Sequence, residues 1–175
     1  MVVVTCGCGA VVPAEDGPVH PYMEAQPACW RSYGELTVRI LGLDPGDWQA
    51  THVDCYAASH PGGAELDRRQ RASVAVHLVA LCLLLEDDVR PGHLIELRAE
   101  TTRLVLPALR RTDWPFLAPP TSFGEPTAPG LAGIPDAELP GALEEWPPSV
   151  WAAWADHHDI VRGWAVVLKE RRWGR

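Results

Sequence analysis

The sequence has no hydrophobic segment long enough to cross a bilayer. Its longest apolar run, Val74–Leu85, is shorter than a membrane helix and is interrupted by His77. Residues 1–12 also lack the basic start and the apolar stretch of an export signal. We therefore expect a cytoplasmic protein with no membrane partner. The five cysteines are an odd number, and without a sign of secretion they favour reduced thiols or metal thiolates over a disulfide framework.

Basic residues are scarce, and the formal net charge is -8. They cluster only at 68–71 and 169–175. Because binding to a phosphate backbone requires a basic face, we expect no nucleic-acid partner, whereas a small molecule remains a candidate ligand. Common catalytic motifs are absent as well: the sequence contains no Gly-x-Ser-x-Gly, Gly-x-x-x-x-Gly-Lys, Gly-x-Gly-x-x-Gly or His-Glu-x-x-His. These absences disfavour acyl hydrolases, nucleotide-binding proteins and zinc proteases of the familiar kinds.

Helical periodicity begins at Trp30, since apolar residues recur there at steps of three and four until Gly42 and Asp44-Pro45-Gly46 end the pattern. Asp47 is a plausible N-cap for a second helix, which ends before Pro61-Gly62-Gly63. A third helix is predicted at 64–87, and its second half is apolar nearly all round, so we place it at the centre of the core. Residues 94–111 fit either a helix or a short strand, and we favour a helix.

Proline dominates the region after these helices. Residues 113–149 contain nine prolines, which predicts an irregular strap, docked on the protein by scattered aromatic and aliphatic side chains. Ser149 is then expected to cap a final helix. The sequence thus predicts one all-α domain, residues 1–175, folded as a helical bundle. Its predicted parts are a Cys/Gly-rich metal knuckle (1–29), a helical core (30–112), the proline-rich strap (113–149) and a Trp-rich C-terminal helix (150–172).

Metal-ligand side chains are concentrated near the N-terminus and recur around residues 54–60. Cys6, Cys8, Cys29 and His60 form a four-ligand set, with His20 as a substitute. Three thiolates and one imidazole suit tetrahedral zinc, and a closed set of this kind would be structural. Cys55 is most simply core filler, although it could replace Cys29. The alternative is that the thiols are reduced and bind no metal.

Three further residues are candidates for catalysis: Asp54, His77 and His158. Asp54 lies off the helical stripe of His60, so it could orient a different histidine from behind. His77 stands in the most apolar helix, where it is either a core histidine bonded to a neighbour such as Ser73 or a ligand or general base. His158, beside Trp151 and other aromatic residues, would form a pocket for an anionic small molecule, or else that helix simply packs its tryptophans on the bundle.

Several blocks of the sequence resemble an uncharacterised bacterial family, domain of unknown function 5946. They are Cys6-x-Cys8-Gly-Ala, His20-x-Tyr22, Cys29-Trp30, Asp54-x-Tyr56-Ala-x-x-His60-Pro-Gly, Ser73-Val-Ala-Val-His77-Leu and Trp151-x-x-Trp154-x-x-His-His158. The resemblance spans nearly the whole chain and implies no established activity. Members usually open with Cys-Pro-x-Cys-Gly, whereas here the pair is Cys6-Gly-Cys8, with Thr5 where the first cysteine would fall. Ser59 stands where a glutamine often precedes the His-Pro pair.

Two functions follow from these observations. The first is a metal-binding protein in which a zinc centre joins the N-terminal knuckle to the Asp54–His60 helix. If that protein is an enzyme, metal-assisted hydrolysis or transfer on a small molecule is the natural reaction class. The second is a non-catalytic binding or interaction module, in which the zinc is structural.

Overall fold

The computed structural model describes residues 2–43, 47–62, 65 and 67–174. A two-stranded antiparallel hairpin, β1 (Val3–Thr5) and β2 (Val11–Pro13), precedes the helices. The helices are α1 (Pro27–Leu43), α2 (Asp47–Ala58), α3 (Arg68–Glu86), α4 (Pro91–Ala108), α5 (Ala128–Ala132), α6 (Leu139–Ala153) and α7 (His158–Trp173), with a 3₁₀ turn at Ala155–His157. The predicted helical bundle with an N-terminal Cys/Gly-rich knuckle is confirmed. Within the described residues, every helix is too short or too polar to cross a membrane.

Helix α3 is the centre of the bundle and packs against α2, α4, α6 and α7. Its segment from Val74 to Leu83 is almost entirely buried, as expected for a stretch that is apolar on nearly every face. Asp67 caps the helix, and its carboxylate accepts a hydrogen bond from the Arg69 amide at 2.8 Å. The helix therefore begins at Arg68. Four predicted features cannot be compared with the structure. The turn at 44–46, Gly63 and the helix start at residue 64 lie outside the described residues, and the Asp47 cap lies outside the described side chains.

The C-terminal third differs from the prediction, because α5 and most of α6 fall inside the expected irregular strap. Helix α6 contains Pro147 and Pro148, which remove two backbone donors and ordinarily cost about 3 kcal/mol each in a helix interior. Burial of Leu143, Trp146 and Val150 along one face offsets this cost. The number of prolines alone predicts an irregular segment, but this apolar stripe outweighs it and the segment is helical.

The expected cap at Ser149 is also wrong, since Ser149 lies within α6 and its hydroxyl donates to the Phe123 carbonyl at 3.5 Å. The chain leaves the helix at Trp154, whose indole donates to the Ala58 carbonyl at 3.1 Å. This buried bond joins the end of α6 to the end of α2. The predicted single helix at 150–172 is consequently two helices, and His158 is the first residue of α7.

Arg39 on α1 holds the short helix α5 in place. Its guanidinium donates to the carbonyls of Ala132 (2.8 Å) and Ile134 and pairs with Asp136 at 2.6 Å. These carbonyls follow the end of α5, where no further helical turn supplies amide donors. One side chain thus satisfies several backbone acceptors that would otherwise lose their partners.

We expect Arg39→Gln to lower the free energy of unfolding by about 1–3 kcal/mol, because it leaves these carbonyls without their charged donor. Urea unfolding followed by tryptophan fluorescence measures the change. Arg31→Gln on the same helix is the matched control, since Arg31 pairs only with exposed Glu15 and Glu35 and little change is expected. Equal effects of the two substitutions would contradict this role of Arg39.

Candidate metal centre

The tip of the β1–β2 hairpin presents two cysteines on one side of a tight turn. The Cys6 amide donates to the Ala10 carbonyl, and the Gly9 amide donates to the Cys6 carbonyl, both at 2.9 Å. Gly9 adopts a φ of 91°, a left-handed conformation that residues with a Cβ rarely take. This turn directs both Cys6 and Cys8 towards the helices, where each is 3% exposed.

Gly7, between the two cysteines, packs directly against the segment that leads into α1. A Cβ at this position would lie 2.3 Å from the Glu24 carbonyl oxygen, closer than real contacts allow. The neighbouring Gln26 amide donates to the Cys6 sulfur at 3.3 Å. Glycine between the two cysteines therefore lets the backbone of the hairpin turn approach the backbone at Glu24, and a larger residue at position 7 would prevent this contact.

Helices α1 and α2 supply the other two donors. Cys29 lies in the first turn of α1 and His60 just beyond the end of α2, and they are 0% and 1% exposed. The Nδ1 atom of His60 lies 2.7 Å from the Tyr56 carbonyl oxygen. Because a carbonyl only accepts hydrogen bonds, Nδ1 carries a proton, and Nε2 is the nitrogen that faces the cysteines and can bind a metal once it is deprotonated.

The four donor atoms lie within 4.8 Å of one another. His60 Nε2 is 3.4 Å from the sulfurs of both Cys6 and Cys29, and the sulfurs of Cys8 and Cys29 are 3.9 Å apart. A tetrahedral zinc site with ordinary bond lengths has ligand–ligand distances of about 3.5–3.8 Å. Cys6, Cys8, Cys29 and His60 could therefore hold a metal ion with little movement.

The close approach of these groups shifts their pKa values in opposite directions. Hydrogen bonds with Cys29 and Cys8 hold the pKa of Cys6 well below its usual value, and the bonds with Cys6 and Cys8 raise that of Cys29. Burial lowers the pKa of His60, but hydrogen bonds with the Cys6 and Cys8 sulfurs outweigh it and raise the pKa to about 9. Protons thus stay on some of these donors at neutral pH unless a cation replaces them.

Aromatic rings cover the cluster. The Tyr56 ring stacks on His60, with centroids 4.0 Å apart, and on Tyr33 at 3.9 Å. Its hydroxyl donates to the Cys29 sulfur at 3.8 Å, and burial raises the pKa of Tyr56, so the phenol keeps its proton. These rings leave the donors in an apolar pocket, in which their attraction for a cation is strong.

Two predicted participants lie outside this cluster. His20 packs edge-on against Tyr22 and against Trp30, at centroid distances of 4.3 and 5.4 Å. Cys55 is fully buried in α2, and burial raises the pKa of its thiol well above the usual value. Neither residue belongs to the group of four that could hold a metal in the described part of the chain.

The three residues predicted for catalysis occupy two separate places. His77 Nδ1 lies 2.7 Å from Asp54 Oδ1, so Asp54, and not Ser73, is the neighbour that holds this imidazole. His158 stacks flat on Trp151 at 3.8 Å, and its Nε2 donates to the Trp151 carbonyl at 2.8 Å. The ring of His158 therefore packs on Trp151. This contact is compatible with the alternative in which the helix packs its tryptophans on the bundle. Their catalytic roles remain predictions.

Arg98 is a functional candidate that the sequence argument did not identify. It donates to the second Asp54 oxygen, Oδ2, at 2.6 Å, although it lies on α4. The sequence does contain a pattern that points to Arg98, because this residue falls in helical register with the buried residues Leu94, Thr101 and Val105. A charged residue on an otherwise buried stripe indicates a buried partner of opposite charge.

Comparison with known proteins identifies a family. The model of a family of unknown function (DUF5946) matches residues 3–155, which include the hairpin, both ligand-bearing helices and Asp54 and His77. No curated protein and no solved structure matches the chain significantly.

We expect Gly7→Ala to weaken metal binding by about tenfold or more, because the added Cβ pushes the Cys6–Cys8 turn away from Glu24. Competition with a chromophoric chelator measures the affinity. Gly34→Ala in α1 is the control, since its Cβ would meet nothing within 4 Å and alanine favours a helix. Unchanged affinity in Gly7→Ala would contradict the packing argument.

Proposed function

We propose that this chain, which belongs to the family of unknown function DUF5946, binds one zinc ion through Cys6, Cys8, Cys29 and His60. The observation that carries the proposal is the meeting of these four donors, from three separate segments, within 4.8 Å in a buried pocket. This composition, three cysteines and one histidine, is that of the Cys3His structural zinc sites.

The donor set favours zinc over other common ions. Three thiolates and one imidazole are soft or borderline ligands, whereas magnesium and calcium prefer oxygen. Zinc has no geometric preference from its d electrons and takes the tetrahedral arrangement that these distances approach. The reduced state of the cysteines, all five of which are free, is compatible with thiolate ligation.

The same geometry favours a structural ion over a catalytic one. A catalytic zinc keeps one position open for water or substrate, while four protein ligands fill a tetrahedral shell. All four residues are buried, and Tyr56 lies over His60 and Cys29. Of the two functions considered from the sequence, we therefore favour the module with a structural zinc over metal-assisted hydrolysis.

The task of the ion is to fasten the hairpin to the bundle. A two-stranded hairpin is marginally stable by itself, and Val12 is the one fully buried residue of β1 and β2, whereas Val3 and Val11 are exposed, so the strands make few apolar contacts. The ion joins this hairpin to the start of α1 and to the end of α2. Its binding free energy is then part of the folding free energy of residues 2–26.

Elemental analysis of protein purified without added metal tests the site. We expect about one equivalent of zinc, and much less in the double variant Cys6→Ser/Cys8→Ser, which removes two thiolates. The control is Cys82→Ser, because Cys82 is buried in α3 away from the four donors and its variant should keep its zinc. Full zinc content in the double variant would refute this ligand set.

Hydrogen exchange distinguishes a local structural role from a global one. On removal of zinc by a chelator, we expect amides of β1 and β2 to exchange faster by tenfold or more, because the hairpin loses its attachment. Amides in the centre of α3 should keep their protection, since their burial does not involve the ion. If hairpin and α3 responded equally, or neither responded, the fastening role would be wrong.

A further inference from the structure

A groove of about 380 Å³ lies beside the N-terminal half of α3, outside the metal centre. Tyr22, from the loop before α1, forms one side. Side chains of α3 form the remainder: Arg69, Ala72, Ser73, Val76 and His77. This volume falls in the range of small-molecule pockets, and the lining combines apolar walls with a few polar groups.

One end of the groove is formed by an imidazole with a fixed orientation. Asp54 is 0% exposed and accepts from His77 Nδ1 at 2.7 Å, while the His77 side chain is 15% exposed. A carboxylate only accepts hydrogen bonds, so Nδ1 bears the proton and Nε2 is the nitrogen left to meet a ligand. The Asp54 charge is balanced by Arg98, which also donates to the Ala50 carbonyl at 2.6 Å.

This arrangement is costly for a purely structural device. Burying a carboxylate and a guanidinium requires compensation that a pair of apolar residues would not need. A carboxylate that is hydrogen-bonded to an imidazole also fixes the orientation of the ring and selects one of its tautomers. Here the imidazole is that of His77, which lines the groove, and its Nε2 is not bonded to Asp54.

One positive group, Arg69, and two imidazoles lie around the groove. The Arg69 guanidinium lies 5.5 Å from the centre of the Tyr22 ring, and Asp67 contacts it at 3.3 Å, so a ligand would share this charge with the helix cap. His20, which packs on Tyr22, has a buried Nδ1 with no hydrogen-bond partner among the described residues. Burial, and secondarily the charge of His77, lowers the pKa of His20.

We propose that this groove binds a small molecule that carries an oxyanion, a carboxylate or a phosphate. Arg69 pairs with the oxyanion, and Nε2 of His77, which carries no proton in this tautomer, accepts a hydrogen bond from an O–H or N–H group of the ligand. Asp54 is a positioning residue that acts through His77. The groove shares no donor atom with the metal centre, so the proposal stands whether or not Cys6, Cys8, Cys29 and His60 hold zinc.

Inorganic phosphate and acetate are the probes, added separately to the full-length protein with ¹⁵N-labelled histidine. We expect a saturable shift of the His77 ring signals with at least one probe and none with sodium chloride at equal ionic strength. Saturation by phosphate alone assigns a phosphate ligand, and saturation by acetate alone assigns a carboxylate. A response to neither, or an equal response to chloride, overturns the proposal.

Two substitutions locate the binding. Arg69→Gln should weaken it about tenfold or more, because a charge-assisted pair is lost. Arg103→Gln is the matched control: the side chains of Arg69 and Arg103 are 65% and 66% exposed, but Arg103 lies on α4 beside Glu100 and should not affect binding. Equal weakening in both variants would show non-specific attraction of anions and refute the site.

Asp54 requires a readout of its own. The wild-type ring nitrogens of His77 should report a single Nδ1-protonated tautomer, and Asp54→Asn should give a mixture, since an amide both donates and accepts. If Asp54 did not orient the ring, this substitution would leave the tautomer unchanged. An Nε2-protonated His77 in the wild type would refute the assigned orientation.

Discussion

Four electron-pair donors gathered in a buried pocket constrain the structure near the N-terminus of this protein. Sulfur and imidazole groups at these distances repel one another when deprotonated and exchange protons when not, as the opposed pKa shifts of Cys6 and Cys29 express. A divalent cation resolves this conflict, because its charge replaces the protons at the same positions. The hairpin turn, the first turn of α1 and the end of α2 all have the geometry that such a shared ion requires.

The position of His60 shows how the helical bundle supports this pocket from a distance. Its ring is held by the Tyr56 carbonyl one turn earlier and by stacking on the Tyr56 ring. The end of α2 is held in turn by Trp154, whose indole bonds to the Ala58 carbonyl. A tryptophan almost a hundred residues later in the sequence thus fixes the place where α2 stops. The packing of α6 on α2 therefore supports the position of His60, although the four ligands come from the edge of the bundle.

Much of this could be predicted from the sequence, because ligand chemistry and helical periodicity are local properties. Cys6, Cys8, Cys29 and His60 were recognisable by residue type, and the apolar run before Leu83 identified the central helix. Proline content misled for α6, since the stripe formed by Trp146 and Val150 overrides the cost of Pro147 and Pro148. The pairing of Asp54 with His77 depends on how α2 and α3 pack, and the register that marks Arg98 as a buried charge does not identify its partner on α2.

The loop between two ligands connects the two sites physically. Cys8 and Cys29 bound the segment that carries His20 and Tyr22, so an ion that fixes both cysteines also restricts where this segment can lie. Tyr22 forms the side of the groove that lies on this loop, whereas Arg69 and His77 belong to the central helix α3. An ion that closes this loop would restrict the position of Tyr22 without contributing an atom to the groove. Arg69 and His77 keep their places on α3 whether or not the ion is bound, so one small domain can accommodate a structural ion and a separate ligand site.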